Sequence, residues 1–312
     1  MPVFIENTDI EDLLKPMTNI CYRISEQFPS LQEEAIKFRS EPVQACQPEG
    51  LLYVKQREFA CTHPDDDVIH VLGTEDATTC HIIVVRHKGS GVTCLAHCDG
   101  CSTKQGIEDM LATVMLLSDG KLSGRLELHI FGGFCDDRFQ SQQLTKEILS
   151  EFHKQPLPIS LMTACVSELN DVIKDGKHWP VIYGIGVNVK TGAIFPAKFL
   201  DKGPDLVIRS TKTFVGDKDM MNIYDYKSRE LRIKPFNWEP WPSAPLLLEQ
   251  PDEVIRHFLS TSPDVEPPDF VSNVRETLKY IIQNPKPTAQ VFPDGHARTY
   301  RKNESAMWTR VI

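Results

Sequence analysis

The sequence predicts a mixed α/β fold in which many of the strands are antiparallel. Two β-rich runs, residues 80–87 and 92–97, flank a short turn at residues 88–91 (KGSG). A glycine at the first central position of a two-residue loop is typical of a type II′ hairpin. Apolar residues recur at helical spacing in several other segments. No internal repeat and no break in composition divides the chain, so we expect one domain spanning residues 1–312.

The first half of the chain changes from a helical to a β-rich pattern. Helical patches are expected at residues 13–21 and 31–38, and short strands at residues 51–54, 59–61 and 68–72. The two hairpin strands follow. An apolar stripe at helical spacing then predicts a helix that Gly120 ends; its members are Ile107, Met110, Leu111, Val114 and Leu117.

The second half continues the mixture. Strands are expected at residues 126–131, 161–166 and 181–189, the last of which turns at residues 190–192. Two further apolar stripes predict helices, one with Phe139, Leu144, Ile148 and Phe152, the other with Phe270, Val274, Leu278 and Ile281. Residues 235–251 are rich in Pro and Trp, which favours an ordered loop packed on the body.

Composition excludes several classes of protein. The 312 residues are 41% hydrophobic and 25% charged, which is ordinary for a globular chain. A formal net charge of −9 gives nucleic-acid binding no electrostatic support. No segment reaches the roughly 18 apolar residues that a membrane span needs. The first residues lack the pattern of a secretory signal, and Pro2 favours removal of the initiator methionine. Nine cysteines then indicate a reducing compartment with mostly free thiols, and we expect a cytoplasmic monomer, with or without a nuclear pool.

The hairpin brings one cysteine and one histidine together. If residues 89 and 90 form the loop, residue 82 faces His97 and Cys80 faces Asp99. Opposed residues share a sheet face, as do residues two apart, so these three side chains lie on one face. Cys80 and His97 are then diagonal neighbours about 7–8 Å apart between Cα atoms. This is the spacing that a nucleophile and its base need. A structural cysteine beside a buried histidine is the alternative.

Two neighbouring features favour catalysis. Small and hydroxyl residues at 73–79 (GTEDATT) directly precede Cys80, and such a segment exposes backbone N–H groups and hydroxyls suited to an oxyanion. Asp99 is placed to orient His97 or to bind an ammonium group. Each feature also has a purely structural interpretation: residues 73–79 form an ordinary polar loop, and Asp99 is a turn aspartate before Gly100.

A zinc site near the hairpin is the competing interpretation, with His97, Cys98, Cys101 and Cys94 as ligands. Along an extended strand Cys94 and Cys98 lie about 13 Å apart, too far to share one ion. Both also fall on the face opposite Cys80. We therefore expect no metal, and expect these cysteines to be free buried thiols.

The hairpin lies within a series of motifs at residues 50–54 (GLLYV), 72–82 (LGTEDATTCHI), 94–100 (CLAHCDG), 132–138 (GGFCDDR), 167–171 (SELND), 180–185 (PVIYGI) and 259–263 (LSTSP). On these motifs the chain resembles the family of eukaryotic protein N-terminal asparagine amidohydrolases. The likeness runs from about residue 50 to 285, which we expect to be the core; the terminal segments match weakly.

The resemblance implies a fold and a site. The fold is the α-β-β sandwich of mostly antiparallel strands found in cytotoxic-necrotizing-factor-like cysteine hydrolases. Those proteins place a histidine about 17 residues after the cysteine, as His97 follows Cys80. A hydroxyl residue six positions before the cysteine is the usual third member, and Thr74 stands here where serine is the family residue.

The resemblance also implies an activity: deamidation of N-terminal asparagine on proteins through a cysteine thioester, without a cofactor, feeding the N-degron route to ubiquitin-dependent degradation. A buried carboxylate is expected to bind the substrate's α-ammonium. The candidates are Asp99, Glu168 and Asp76, with Thr79 as a further substrate-binding residue. A broader glutamine or asparagine deamidase and a non-catalytic peptide-binding module are the alternatives.

Overall fold

The structure is a computed structural model that describes residues 3–15, 19–119 and 124–311. Helices and strands alternate along these ranges, so the predicted mixed α/β fold is confirmed. The helices are α1 (Ile20–Gln27), α2 (Pro29–Ser40), α3 (Thr103–Leu117), α4 (Gln140–His153), α5 (Leu206–Phe214), α6 (Ala244–Leu248), α7 (Asp252–Leu259), α8 (Phe270–Gln283) and α9 (Pro287–Gln290), with short 3₁₀ turns at Glu11–Leu14, Ser167–Asn170 and Pro293–Gly295.

The strands form two principal sheets and two smaller ones. They are β1 (Val3–Ile5), β2 (Thr8–Asp9), β3 (Gln44–Cys46), β4 (Leu51–Tyr53), β5 (Glu58–Thr62), β6 (Val71–Thr74), β7 (His81–His87), β8 (Thr93–Cys98), β9 (Leu126–Gly132), β10 (Ile159–Val166), β11 (Asp171–Lys174), β12 (Lys177–Pro180), β13 (Ile185–Asn188), β14 (Ile194–Phe199), β15 (Met221–Asn222), β16 (Tyr224–Asp225), β17 (Glu230–Ile233), β18 (Arg298–Lys302) and β19 (Trp308–Val311).

An eight-stranded sheet forms the middle layer, in the order β15-β5-β8-β7-β9-β10-β1-β2. Helices α3 and α4 cover one face: His81 Nε2 lies 2.6 Å from Thr145 Oγ1 on α4, and Cys98 Sγ lies 3.9 Å from Thr103 Oγ1 on α3. The opposite face of the eight-stranded sheet, which carries the His97 side chain, packs against a five-stranded sheet of order β3-β14-β13-β6-β4. The layers are therefore helix, sheet and sheet, and antiparallel pairings outnumber parallel ones, as the resemblance implied.

The hairpin of β7 and β8 has the predicted register but not the predicted turn. Ile82 pairs with His97, so the alternation argument holds. The turn is wider than a type II′ loop, because the Gly91 N–H donates to the His87 carbonyl at 2.7 Å and His87 N–H to the Val92 carbonyl. Gly91, with a φ of 77°, takes the left-handed conformation that Gly89 was expected to supply. The register survives because the turn changes without shifting the strand pairing.

Several other elements differ from the sequence prediction. The first helical patch divides into a 3₁₀ turn and α1, which begins at Ile20 where the Asn19 side chain accepts a hydrogen bond from the Tyr22 N–H. Strand β6 begins at Val71 rather than three residues earlier. The Pro/Trp segment contains α6, and α5 was not predicted. Pro2 and Gly120 lie outside the described residues.

Helix α5 is attached to the middle sheet by a buried ion pair. The Arg209 guanidinium donates to both oxygens of Glu58 on β5, at 2.9 and 2.6 Å. The side chains are 0% and 2% exposed, so each charge depends on the other for stabilisation. Arg209 also donates to the Tyr53 carbonyl at 2.7 Å. Because Glu58 pairs with His97 across the ladder, this contact positions α5 beside that histidine's strand.

The cysteines are only partly as expected. Cys61 and Cys94, opposed on β5 and β8, form a disulfide bond, so the prediction that Cys94 is a free thiol is wrong. Cys98 and Cys101 are free. Direct opposition across an antiparallel pair brought the two sulfurs together, and Cys61 was not considered as a partner. No helix in the described part of the chain is long and apolar enough to cross a membrane.

Candidate active site

Cys80 lies at the wall of a cleft of about 670 Å³, immediately before β7 and half-buried. The loop that carries it is held from two sides. Asp76 has a φ of 66° and accepts a 2.8 Å hydrogen bond from Lys202, while the Ala77 N–H donates to the Tyr183 carbonyl at 3.0 Å. The left-handed residue turns the chain out of β6, and these contacts fix the direction in which Cys80 is presented.

His97 on β8 is held by the facing sheet. Its Nδ1 lies 2.8 Å from the Thr74 hydroxyl at the end of β6, as predicted for an orienting partner. The ring is 3% exposed, and its Nε2 is buried without a hydrogen-bond partner among the described residues. One ring nitrogen is therefore anchored while the other is free to accept a proton. No hydrogen bond joins Cys80 to this ring among those residues, so the direct thiol–imidazole contact stays a prediction.

Both groups are neutral at physiological pH. Burial and the charge of Lys55 together lower the pKa of His97 to about 4, although the charges of Asp99 and Asp76 act in the opposite direction. Burial also raises the pKa of the Cys80 thiol well above its usual value, with the Asp99, Cys98 and Glu266 charges acting in the same direction. The resting pair is a thiol and an imidazole rather than an ion pair. Proton transfer to His97 must therefore accompany attack on a substrate.

Hydrogen-bond donors are available next to the sulfur. The backbone N–H groups of Thr79 and Cys80 donate to no described residue. The Cys80 carbonyl accepts from the Gly133 N–H at 3.0 Å, which fixes the peptide on its C-terminal side. Unpaired amides in a rigid loop can stabilise an oxyanion. That the segment before Cys80 contributes such donors to an oxyanion stays a prediction.

Two of the predicted amine-binding carboxylates line the cleft but already have cationic partners. Asp99 accepts from Arg57 at 2.7 Å and from Gln56 at 2.8 Å. Burial raises the pKa of Asp99, but the Arg57 charge and these hydrogen bonds outweigh it and hold the pKa below its usual value. Asp76 is paired with Lys202. Asp99 therefore does not orient His97; that contact belongs to Thr74.

Glu168 is not brought to the cleft, contrary to the sequence prediction. Its Oε1 accepts from the Asn19 side chain at 3.0 Å and from Gln142 at 3.4 Å, between α1 and α4. The 3₁₀ turn after β10, which was not predicted from the sequence, directs the Glu168 side chain toward these helices. Glu168 is absent from the cleft lining, so we withdraw it as an amine ligand.

Thr79 lines the cleft and connects the Cys80 loop to a distant segment. Its hydroxyl lies 2.8 Å from that of Thr261, in the loop between α7 and α8. The same loop brings Glu266 to the cleft, where burial raises its pKa. Sequence reasoning missed Glu266 and Lys55, which also lines the cleft. The only sequence signal for Glu266 was its position three residues after the motif at 259–263.

The ligands of the alternative zinc site near the hairpin, which included His97, Cys98, Cys101 and Cys94, do not form a cluster among the described residues. Cys94 is in a disulfide bond, and Cys98 is buried against α3. Among the described residues, Cys135, Asp171 and His178 bring potential ligand atoms within 4.8 Å of one another. The Asp171 oxygens there are occupied by the Cys135 N–H at 3.0 Å and by His178 Nδ1 at 2.6 Å.

Comparison with known proteins identifies close relatives. Residues 41–310 match the sequence model of a family described as "Protein N-terminal asparagine amidohydrolase". Curated proteins of that name from Sus scrofa and Homo sapiens are each 47% identical over 283 residues, covering 91% of this chain and 91% of theirs. The protein of that name from Mus musculus is 46% identical over the same coverage.

Proposed function

The chain belongs to the protein N-terminal asparagine amidohydrolase family, and from that premise we propose that it hydrolyses the side-chain amide of N-terminal asparagine, releasing ammonia and leaving aspartate. One observation carries the assignment of the site. His97 has its Nδ1 anchored to Thr74, and its Nε2 is buried with no partner in the described part of the chain. The histidine is on β8, which pairs with the strand that follows Cys80 at the cleft wall. A nucleophile, a base and an orienting hydroxyl are thus supplied by three adjacent strand ends.

The acylation step uses these groups in order. The Cys80 sulfur attacks the carboxamide carbon while its proton moves to His97 Nε2, so a C–S bond forms and the carbonyl oxygen becomes an oxyanion. The free amides of Thr79 and Cys80 are placed to receive this charge. The C–N bond then breaks, and the leaving nitrogen takes the proton from His97 to depart as ammonia. A thioester between Cys80 and the substrate side chain remains.

Deacylation reverses the proton movement. A water molecule gives its proton to His97 Nε2 as it attacks the thioester carbon, and the C–S bond breaks. The sulfur regains a proton from His97, and the side chain leaves as a carboxylic acid that ionises to aspartate. Because the pKa of His97 is lowered to about 4, the imidazole is neutral and ready to act as base at the start of each step.

We propose, from the family resemblance, a cellular setting for this reaction. The product bears an N-terminal aspartate, which enters the N-degron route, and the enzyme acts as a cytoplasmic monomer. Its partners on this account are proteins or peptides with a free N-terminal asparagine.

The function is tested with three peptides that differ in the position and length of the amide side chain and, in the third, in the state of the α-amine. They begin with Asn, begin with Gln, or carry Asn internally behind a blocked amine. Mass spectrometry after incubation is expected to detect conversion of amide to acid only in the first. Comparable conversion of the second or third favours the broader deamidase, whereas binding without conversion of any peptide favours a binding module.

Thr74 is expected to act as a positioning residue. Thr74→Val removes the hydroxyl that anchors His97 Nδ1 and keeps the shape of the side chain. The loss of one hydrogen bond at the base predicts a kcat about tenfold lower with little change in KM. Thr74→Ser restores the hydroxyl and is expected to recover most of kcat. A purely structural role would instead lower the melting temperature of both variants and leave kcat per folded enzyme unchanged.

A further inference from the structure

The charges around the Cys80 end of the cleft leave one carboxylate without a cation among the described residues. Three carboxylates that line it lie close enough to the Cys80 loop to act on its chemistry: Asp76, Asp99 and Glu266. Asp76 is 2.8 Å from the Lys202 ammonium, and Asp99 is 2.7 Å from the Arg57 guanidinium. Glu266 has no such partner among the described residues. An incoming ammonium group would have to displace an existing cation from either aspartate, but not from Glu266.

The Glu266 carboxylate is nevertheless held in place. Its Oε1 accepts hydrogen bonds from the hydroxyls of Ser260 and Ser262, while Oε2 accepts none from a described residue. The charged groups that act on it through space are Asp76, which raises its pKa, and Arg256, which lowers it; burial has the largest effect and raises it. One oxygen is therefore oriented by the protein and the other is available to a ligand.

The loop that carries Glu266 is tied to the residue preceding the nucleophile. Thr79 and Thr261 share a 2.8 Å hydrogen bond between their hydroxyls. The Glu266 charge in turn contributes to the raised pKa of Cys80, as expected for groups that share one cleft. In asparagine the α-nitrogen is only three bonds from the carboxamide carbon. The group that binds the α-ammonium must therefore lie near the sulfur, and Glu266 lines the same cleft as Cys80.

We propose that Glu266 binds the α-ammonium of the N-terminal residue, through Oε2, while Ser260 and Ser262 orient the carboxylate through Oε1. This inference rests on the proposed function, since it assigns the residue that makes the enzyme require a free N-terminus. A charge-assisted contact in a partly buried site is stronger than a neutral one, and an acetylated terminus offers no positive charge to it. Binding also neutralises a negative charge near Cys80 and so favours thiolate formation during attack.

The test compares two substrates on each enzyme variant. One is a peptide beginning with Asn; the other is the same peptide with hydrogen in place of the α-amine. Wild type is expected to prefer the amine substrate by about 100-fold in kcat/KM. Glu266→Gln is expected to lower kcat/KM for the amine substrate by about that factor and to leave the des-amino substrate almost unchanged, removing the preference.

The ratio of the two kcat/KM values does not depend on the fraction of folded enzyme, so it remains informative if Glu266→Gln is less stable. Glu266→Asp, which retains the charge but is one methylene shorter, is expected to keep an intermediate preference. Glu147→Gln is the matched control, because Glu147 is an exposed carboxylate lining the same cleft, and its preference is expected to equal that of wild type.

The pH dependence provides a second readout. For wild type, kcat/KM is expected to fall as pH rises past the α-amine pKa of about 8, since the ammonium is lost, and to fall at low pH as Glu266 is protonated. Glu266→Gln should lose the alkaline decline. The inference is overturned if Glu266→Gln keeps both the preference for the amine substrate and the alkaline decline of kcat/KM. If wild type converts neither substrate, the proposed function itself fails, and the two failures are thus distinguished.

Discussion

Replacing Cys80 with alanine is expected to abolish deamidation, with kcat lowered by about 10⁴-fold or more. The reason is that no other described group lies in the position from which sulfur attacks, and the covalent route is lost entirely. Cys80→Ser is expected to be nearly as inactive, because a hydroxyl beside a neutral imidazole is a far weaker nucleophile. Ammonia release from an Asn-starting peptide measures both variants.

The control for this substitution is Cys101→Ala. Cys101 is a second free cysteine that lines the same cleft and is also half-buried, so its replacement tests whether any cleft thiol suffices. It should retain near wild-type kcat. Cys80→Ala with wild-type melting temperature and more than a small fraction of wild-type turnover would remove Cys80 from the mechanism, and Cys135 and Cys165 would be tested next.

Replacing His97 with asparagine is expected to lower kcat by about 10³-fold, within the range that general acid–base catalysis contributes. The asparagine amide occupies the position of Nδ1 and retains the contact with Thr74, but no group remains where Nε2 lay. The loss of the base should slow both formation and hydrolysis of the thioester. Single-turnover kinetics of ammonia release and of aspartate formation report the two steps separately.

His87→Asn is the matched control for this variant. His87 is also a buried histidine of the same hairpin, 1% exposed, with its Nδ1 2.8 Å from the Ser90 hydroxyl. The same substitution there removes a buried Nε2 at a similar structural cost, away from the cleft. Equal losses of kcat in the two variants would indicate that His97 contributes through stability and not as a base.

The protonation states of Cys80 and His97 in the free enzyme affect the results expected for both substitutions. With the pKa of His97 lowered to about 4 and that of Cys80 raised, the free enzyme holds few thiolates at neutral pH. Nucleophilicity is therefore generated only when substrate fills the cleft. Such an arrangement limits oxidation and alkylation of the empty site, because the thiolate is the reactive form in both reactions.

The sequence by itself determined the strand register that assigns Cys80 and His97 to one face of the sheet. Strand alternation and a short hairpin are local properties, so residues within one hairpin can be assigned to one sheet face before any packing is known. The argument tolerated an error in the turn type, because the wider turn preserved the pairing of Ile82 with His97. The fold class was similarly accessible, since hydrophobic periodicity marks most helices and strands locally.

Only the tertiary structure decided which charges surround the thiol. Asp99 is neutralised by Arg57, Glu168 is turned toward α1 and α4, and Glu266 reaches the cleft from a loop far along the chain. None of these contacts has a periodic signature, because they join segments whose separation in sequence says nothing about their separation in space. Carboxylates of similar appearance in the sequence therefore acquire different roles from the partners that packing assigns to them.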